Sequence, residues 1–222
     1  MQKGPKEEEQ MEQAVAVKLW HNSTVEIALE MEKLRDAIVK WDWNGKLDSS
    51  VPRRTCADLM KHLVDEYWLE VEALTKDFDS RSQYPDRPMI QLSGLTENEP
   101  SVWLLGWRAG EQTPIHDHAD SEVGIHVFEG SVTEHIYVPS KFPLGEGEET
   151  DFRKVSRELM EGSTVRITSP YVHLFTKTCI GTECVHATTI HCYWPRLLAM
   201  NLFNVDEEKQ RITYKGTWKD EG

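Results

Sequence analysis

The spacing of apolar residues along the chain changes once, near Pro88. Before that point it is helical. From about Glu12 to Val39, residues Val15, Val17, Leu19, Val25, Leu29, Met31, Leu34 and Ile38 fall partly on three- and four-residue intervals, which predicts one or two helices. Thr55 stands three residues ahead of Asp58 in a variant of the capping box, and Leu59, Leu63, Tyr67, Val71 and Leu74 then form a stripe that predicts a helix to about Lys76, its apolar side packed on a core. After Pro88 the texture is that of strands. Short runs rich in Val, Ile, Thr, Tyr and Trp are broken by Gly, Pro, Asp and Asn every eight to twelve residues or so, the pattern of an all-β sandwich or barrel. Strands are expected at Met89–Leu92, Ser101–Trp107, Thr113–His118, Gly124–Glu129, Val132–Val138, Ser163–Ile167, His173–Lys177, Ala187–Trp194, Leu198–Asn204 and Ile212–Trp218, with Lys141–Gly147 a loop. The expected organisation is therefore a tail over 1–12, N-terminal helices over 13–82 and a β-domain over 83–222. The tail is expected to be disordered, since Lys, Glu and Gln dominate it and offer too little apolar surface to offset the entropy of ordering.

Composition narrows the classes of function. Twenty-five basic against 38 acidic residues give a formal charge of −13, which repels phosphate backbones and acidic membrane leaflets. No basic patch offsets it, so neither nucleic acid nor membrane is expected as a partner. The opening MQKGPKEEEQ lacks the apolar stretch of a signal peptide, and no run of eighteen or so apolar residues occurs. Cys56, Cys179, Cys184 and Cys192 form no CxxC pair, so neither a disulfide framework nor a zinc knuckle is indicated. A reducing cytoplasmic setting fits these features. Because the strand pattern uses most of the apolar residues, a monomer is the expected state.

The chemistry concentrates in Gly110–Gly130, GEQTPIHDHADSEVGIHVFEG. Residues two apart in an extended segment point the same way, so His116 and His118 present both imidazoles to one side, as two ligands of one metal require. A third imidazole, His173, heads the later β-run in SPYVHLF. Three neutral imidazoles with open coordination positions suit a catalytic metal rather than a closed structural site. The remaining histidines, His21, His62, His126, His135 and His186, read as ordinary polar residues.

These residues resemble the cupin superfamily and, within it, the cysteine dioxygenase family. The family's HDHxDS element stands as His116-Asp117-His118-Ala119-Asp120-Ser121, its tryptophan ahead of the first ligand as Trp107, and its later Ser-x-His-x-Tyr as Thr189-Ile190-His191-Cys192-Tyr193. The resemblance covers roughly Tyr84 to Pro195. It implies a mainly β chain, a cupin jelly-roll barrel with an N-terminal helical region. It also implies an Fe(II) enzyme that uses O2 to oxidise a small thiol, with cysteine the foremost substrate, to its sulfinate. Residue by residue, it implies that His116, His118 and His173 bind the iron, and that Tyr193 stands beside it supported by His191 and Thr189. Arg87, in YPDRPMI, matches the arginine that takes the substrate carboxylate, for which a guanidinium fork is well shaped. Arg81 and Arg108 carry the same charge nearby. Trp107 packs in the core or walls the substrate pocket.

Two departures from the family pattern bear on the chemistry. Val123 occupies the place where many members carry a cysteine cross-linked to the tyrosine, so no Cys–Tyr thioether is expected there. Glu122 meets the spacing at which other cupins supply a carboxylate ligand, and an inward Glu122 would favour a metal-dependent cupin enzyme acting on a non-thiol. The other readings left open are a dioxygenase for 3-mercaptopropionate, cysteamine or a larger thiol, and a non-catalytic cupin that binds or stores a ligand.

Overall fold

The computed structural model describes residues 28–43, 54–76, 88–96, 98–168, 171–177 and 186–219. The expected tail over 1–12 lies outside them. Residues 28–39 form a helix (α1) that buries Leu34 and Ile38 completely. The second helix, α2 (Cys56–Thr75), starts where Thr55 caps it: the Thr55 side chain accepts from the Asp58 backbone N–H, and the Asp58 carboxylate accepts from the Thr55 N–H in return. Its backbone leaves helical geometry at Tyr67, and on either side of that kink Leu59, Leu63, Val71 and Leu74 are fully buried. Each such leucine contributes about 1.5–3 kcal/mol by leaving water. None of the described helices is long and apolar enough to cross a membrane.

The rest is a jelly roll of two five-stranded antiparallel sheets, and the fold is a cupin barrel with an N-terminal helical region. One sheet runs β1 (Met89–Ser93), β2 (Ser101–Trp107), β8 (Ala187–Trp194), β3 (Glu122–Glu129), β6 (Thr164–Ile167). The other runs β7 (Val172–Thr176), β4 (Ser131–Pro139), β5 (Glu149–Met160), β10 (Arg211–Lys219), β9 (Ala199–Asp206). In the first sheet the two-residue period divides each strand between two cores. Val102, Leu104, Ile190 and Cys192 pack outward on α1 and α2, while Leu105, Trp107, Val123, Ile125, Val127 and Tyr193 pack inside the barrel. Gly124 shows how close the helix comes: a Cβ there would lie 2.4 Å from the backbone carbon of Cys56, so only glycine admits the start of α2.

Two expectations about strands are corrected. Thr113–His118 is not a strand; isolated bridges alone pair this stretch, from Gln112 just before it to Thr176 and from His116 to both His173 and Leu202. Pro114, with no N–H to donate, interrupts any continuous ladder there. Conversely, β5 was not among the expected strands. In ETDFRKVSRELM only Phe152 and Leu159 are buried apolar side chains, so the alternation that would betray it is too sparse.

Candidate metal centre

Three side chains from two segments converge on one point inside the barrel. His173 is the second residue of β7 and is fully buried, opposite Ile136 of β4. The irregular segment ahead of β3 brings His116 against it through a reciprocal backbone pair, His116 N–H to His173 C=O at 2.9 Å and His173 N–H to His116 C=O at 2.8 Å. His118 follows two residues on. The three rings stand with centroids 4.8–4.9 Å apart, and one nitrogen from each lies within 4.8 Å of the others. His173 Nε2 and His118 Nε2 are 3.2 Å apart. Two nitrogens each about 2.1 Å from a common ion, at roughly a right angle, would stand about 3 Å from one another, so the spacing fits a shared metal.

Partners on the far side of the rings settle which nitrogen faces the centre. His116 Nδ1 donates to the Pro114 carbonyl at 2.8 Å, and His173 Nδ1 to the Glu134 carboxylate at 2.8 Å, leaving both Nε2 lone pairs to the centre. Burial, and then the neighbouring imidazoles of His116, His173 and His191, hold the pKa of His118 well below its ordinary value. It is neutral near pH 7, the form that ligates metals.

Sequence reasoning missed Glu134. It is fully buried, ion-paired with Arg157 on one oxygen and bonded to His173 on the other. Burial would raise its pKa, but the bonds to His173 and Arg157 outweigh it and hold the carboxyl below its ordinary range. A signal was present. In β4, buried positions alternate through Val132, Glu134 and Ile136, so the glutamate occupies an inward slot that its neighbours fill with aliphatic side chains. Asp117 also gains a definite role. Between the two histidines its carboxylate accepts from the backbone N–H groups of Ala119 and Asn201, each at 3.0 Å, and from Asn201 Nδ2 at 2.9 Å. This ties the HDH segment to β9 and holds Ala119 in the left-handed region, at φ 48°.

Glu122 does not approach the centre. It lies on the outward side of β3, where one oxygen accepts from the Cys56 N–H at the start of α2 (2.9 Å) and the other from Arg166 (2.6 Å). Strand parity decides this: Val123 faces inward, directly across from Tyr193 in β8, so Glu122 faces the helix.

The inward residues of β8 form a chain of hydrogen bonds. The Trp107 indole donates to Thr189 Oγ1 at 2.8 Å, Thr189 Oγ1 meets His191 Nε2 at 2.9 Å, and His191 Nδ1 meets the Tyr193 hydroxyl at 3.2 Å. The indole N–H can only donate, so Thr189 Oγ1 is the acceptor of the first bond. The Tyr193 and His118 rings are 5.5 Å apart, so the hydroxyl belongs to the edge of the centre. Trp107, 1% exposed, stands behind this chain and not in the pocket wall.

A cavity of about 530 Å³ opens onto His116 and Tyr193, with Gln91, Trp103 and Arg196 also in its wall. Arg87 and Arg81 lie outside the described residues. Arg108, the third arginine weighed from the sequence, pairs with Glu111 at 3.4 Å and does not line this cavity.

Among solved structures, a Klebsiella pneumoniae protein with a double-stranded β-helix domain is 16% identical, aligning over 48% of this chain and 72% of its own with a TM-score of 0.34. Vicilin from Solanum melongena is 18% identical over 60% of this chain and 35% of its own, with a TM-score of 0.42. A Bacillus halodurans protein is 14% identical over 42% of this chain, with a TM-score of 0.33, and the alignment spans 61% of that protein's length. No curated protein matches. The family model described as cysteine dioxygenase type I matches residues 91–206, more than half of the sequence, including the HDH segment, His173 and the whole of β8. The chain belongs to the cysteine dioxygenase type I family.

Proposed function

We propose that the chain is a thiol dioxygenase, oxidising a thiol RSH with O2 to the sulfinic acid RSO2H. The observation that carries this reading is the convergence of His116, His118 and His173, three buried imidazoles with no carboxylate among them, since Glu122 is engaged by α2 and Arg166. The reaction balances without a reductant, because sulfur supplies all the electrons that O2 takes up and both oxygen atoms end on sulfur. Iron(II) is the metal the family resemblance implies. His116, His118 and His173 would hold it, and it would supply open coordination positions and redox chemistry for a thiol and O2.

The chain's own residues do the rest. Glu134 and the Pro114 carbonyl hold two imidazoles with Nε2 inward, and Asp117 sets the position of the segment that carries His116 and His118. The bonds that run from Trp107 through Thr189 and His191 hold the Tyr193 hydroxyl at the edge of the centre, where it can donate to an oxygen or sulfur of the reacting pair. Such a donor is strongest where water is excluded, and Tyr193 is 8% exposed. Arg87 remains a proposed contact for a substrate carboxylate. Cysteine is the substrate the resemblance implies, and the cavity decides how far this chain follows it.

The test is anaerobic loading with Fe(II), followed by oxygen uptake and product identification over a panel of thiols. Stoichiometric uptake with a sulfinate product is the expected result. Bound iron with no uptake from any thiol would overturn the reading in favour of a non-thiol substrate.

A further inference from the structure

The cavity at the histidine cluster is larger and more apolar than free cysteine calls for. Its volume, about 530 Å³, lies in the range of roughly 300–1,000 Å³ in which pockets bury ligands well beyond the size of an amino acid. Met89, Trp103, Leu105, Leu197 and Met200 contribute to its wall, and all but Leu105 retain partial exposure. Cysteine, small and zwitterionic, would leave most of that wall in contact with water. A ligand with an apolar body would remove it from water and gain in proportion to the area covered.

The polar part of the wall is equally selective. Among the described residues that line the cavity, Arg196 is the one that carries a fixed charge. It already interacts within the protein, and its guanidinium carries five N–H donors. Gln91 is committed to the turn that follows β1, its Nε2 donating to the carbonyls of Ser93 (3.2 Å) and Gly94 (3.4 Å). Among the described residues, the wall offers apolar surface, one cation and no carboxylate to receive a substrate ammonium.

We propose that the preferred substrate is a mercapto acid with an aromatic or branched aliphatic body and no amine. Its sulfur lies at the histidine cluster, its body against Trp103 and Leu197, and its carboxylate toward Arg196. The inference rests on the thiol dioxygenase reading and keeps its balance, RSH and O2 giving RSO2H.

Two measurements test it. Calorimetric titration of the metal-free protein with 2-mercapto-3-phenylpropionate should give a Kd at least tenfold below that of cysteine, a readout that needs no turnover. In the iron-loaded protein, kcat/KM for the aromatic mercapto acid should exceed that for cysteine at least tenfold. Leu197→Trp, which narrows the cavity, should lower the ratio of these two kcat/KM values about tenfold. Arg196→Met should lower the ratio of the mercapto acid to uncharged 2-phenylethanethiol by a similar factor; each variant is first checked for an unchanged melting temperature, and either one suffices if the other does not fold. Tighter binding and faster turnover of cysteine would overturn this inference and leave the dioxygenase reading standing. Iron-loaded protein that consumes no thiol would overturn both.

Discussion

The two halves of the histidine cluster are held by different means. His173 sits in a regular strand, paired in register with β4, and its position is set by the sheet; Glu134 only turns the ring. His116 and His118 sit on a segment with isolated bridges alone, and their position depends on a few hydrogen bonds centred on Asp117. The same substitution of an acid should therefore have different consequences in the two halves. In the strand half it should disturb orientation, and in the loop half it should disturb place.

The largest effect is expected at Asp117. Asp117→Ala leaves the Asn201 and Ala119 N–H groups and the Asn201 amide without their buried acceptor, and each lost partner costs about 1–3 kcal/mol. A total of about 3–5 kcal/mol of stability should be lost, together with metal binding, as followed by denaturant unfolding and metal titration. If unfolding is unchanged, the HDH segment is held by something other than this clamp.

Glu134→Gln comes next and sharpens the contrast. The strand keeps His173 in place, so the fold should survive while metal affinity falls about 10–100-fold, the usual cost of losing a carboxylate behind a ligating imidazole. The pH dependence separates the two acids further. The Glu134 carboxyl is held below its ordinary range in the folded chain, so its contribution to stability is present above the unfolded carboxylate pKa and is lost as pH falls through the lower folded value. Metal-free Glu134→Gln should therefore lose less stability on acidification than the parent. An identical acid profile for the two proteins would remove Glu134 from that role.

How much of this was legible beforehand follows from the same contrast. The convergence of His116 with His118 could be read from two-residue spacing even though the segment is not a strand, because any extended backbone alternates its side chains. Both ends of β2 were legible because SVWLLGW is buried on both faces and reads as a nearly continuous apolar run, and those of β8 because ATTIHCYW is rich in β-branched and aromatic residues. β5 was not, since it pairs with β4 over Phe152–Met160 and with β10 over Glu149–Asp151 while presenting charge along most of its length. Glu134 escaped because an acid in a strand reads as solvent-facing until the parity of its neighbours is counted. Glu122 is the converse case: its spacing suits a ligand, and only the parity of β3 and the nearness of α2 turn it outward.

A smaller effect is expected at Trp107. Trp107→Phe keeps a ring in the core but removes the N–H that donates to Thr189 Oγ1, so the hydroxyl loses one of the bonds that hold it beside His191. Metal affinity should stay at the parent value while kcat drops about tenfold, with Thr189→Ala giving a similar loss. If kcat holds while KM rises, the tryptophan acts on the pocket and not on Tyr193.

The smallest expected effect lies on the outer side of β3, away from both halves of the cluster. Glu122→Gln retains an acceptor for the Cys56 N–H but gives up the charge that favours a helix N-terminus and pairs with Arg166. The loss should be about 1 kcal/mol in denaturant unfolding, since Arg166 is half exposed and the pair is screened. Metal affinity and turnover should not change, because the barrel wall separates this carboxylate from the histidines. A fall in metal affinity would place Glu122 at the centre in solution and return the non-thiol cupin reading to contention.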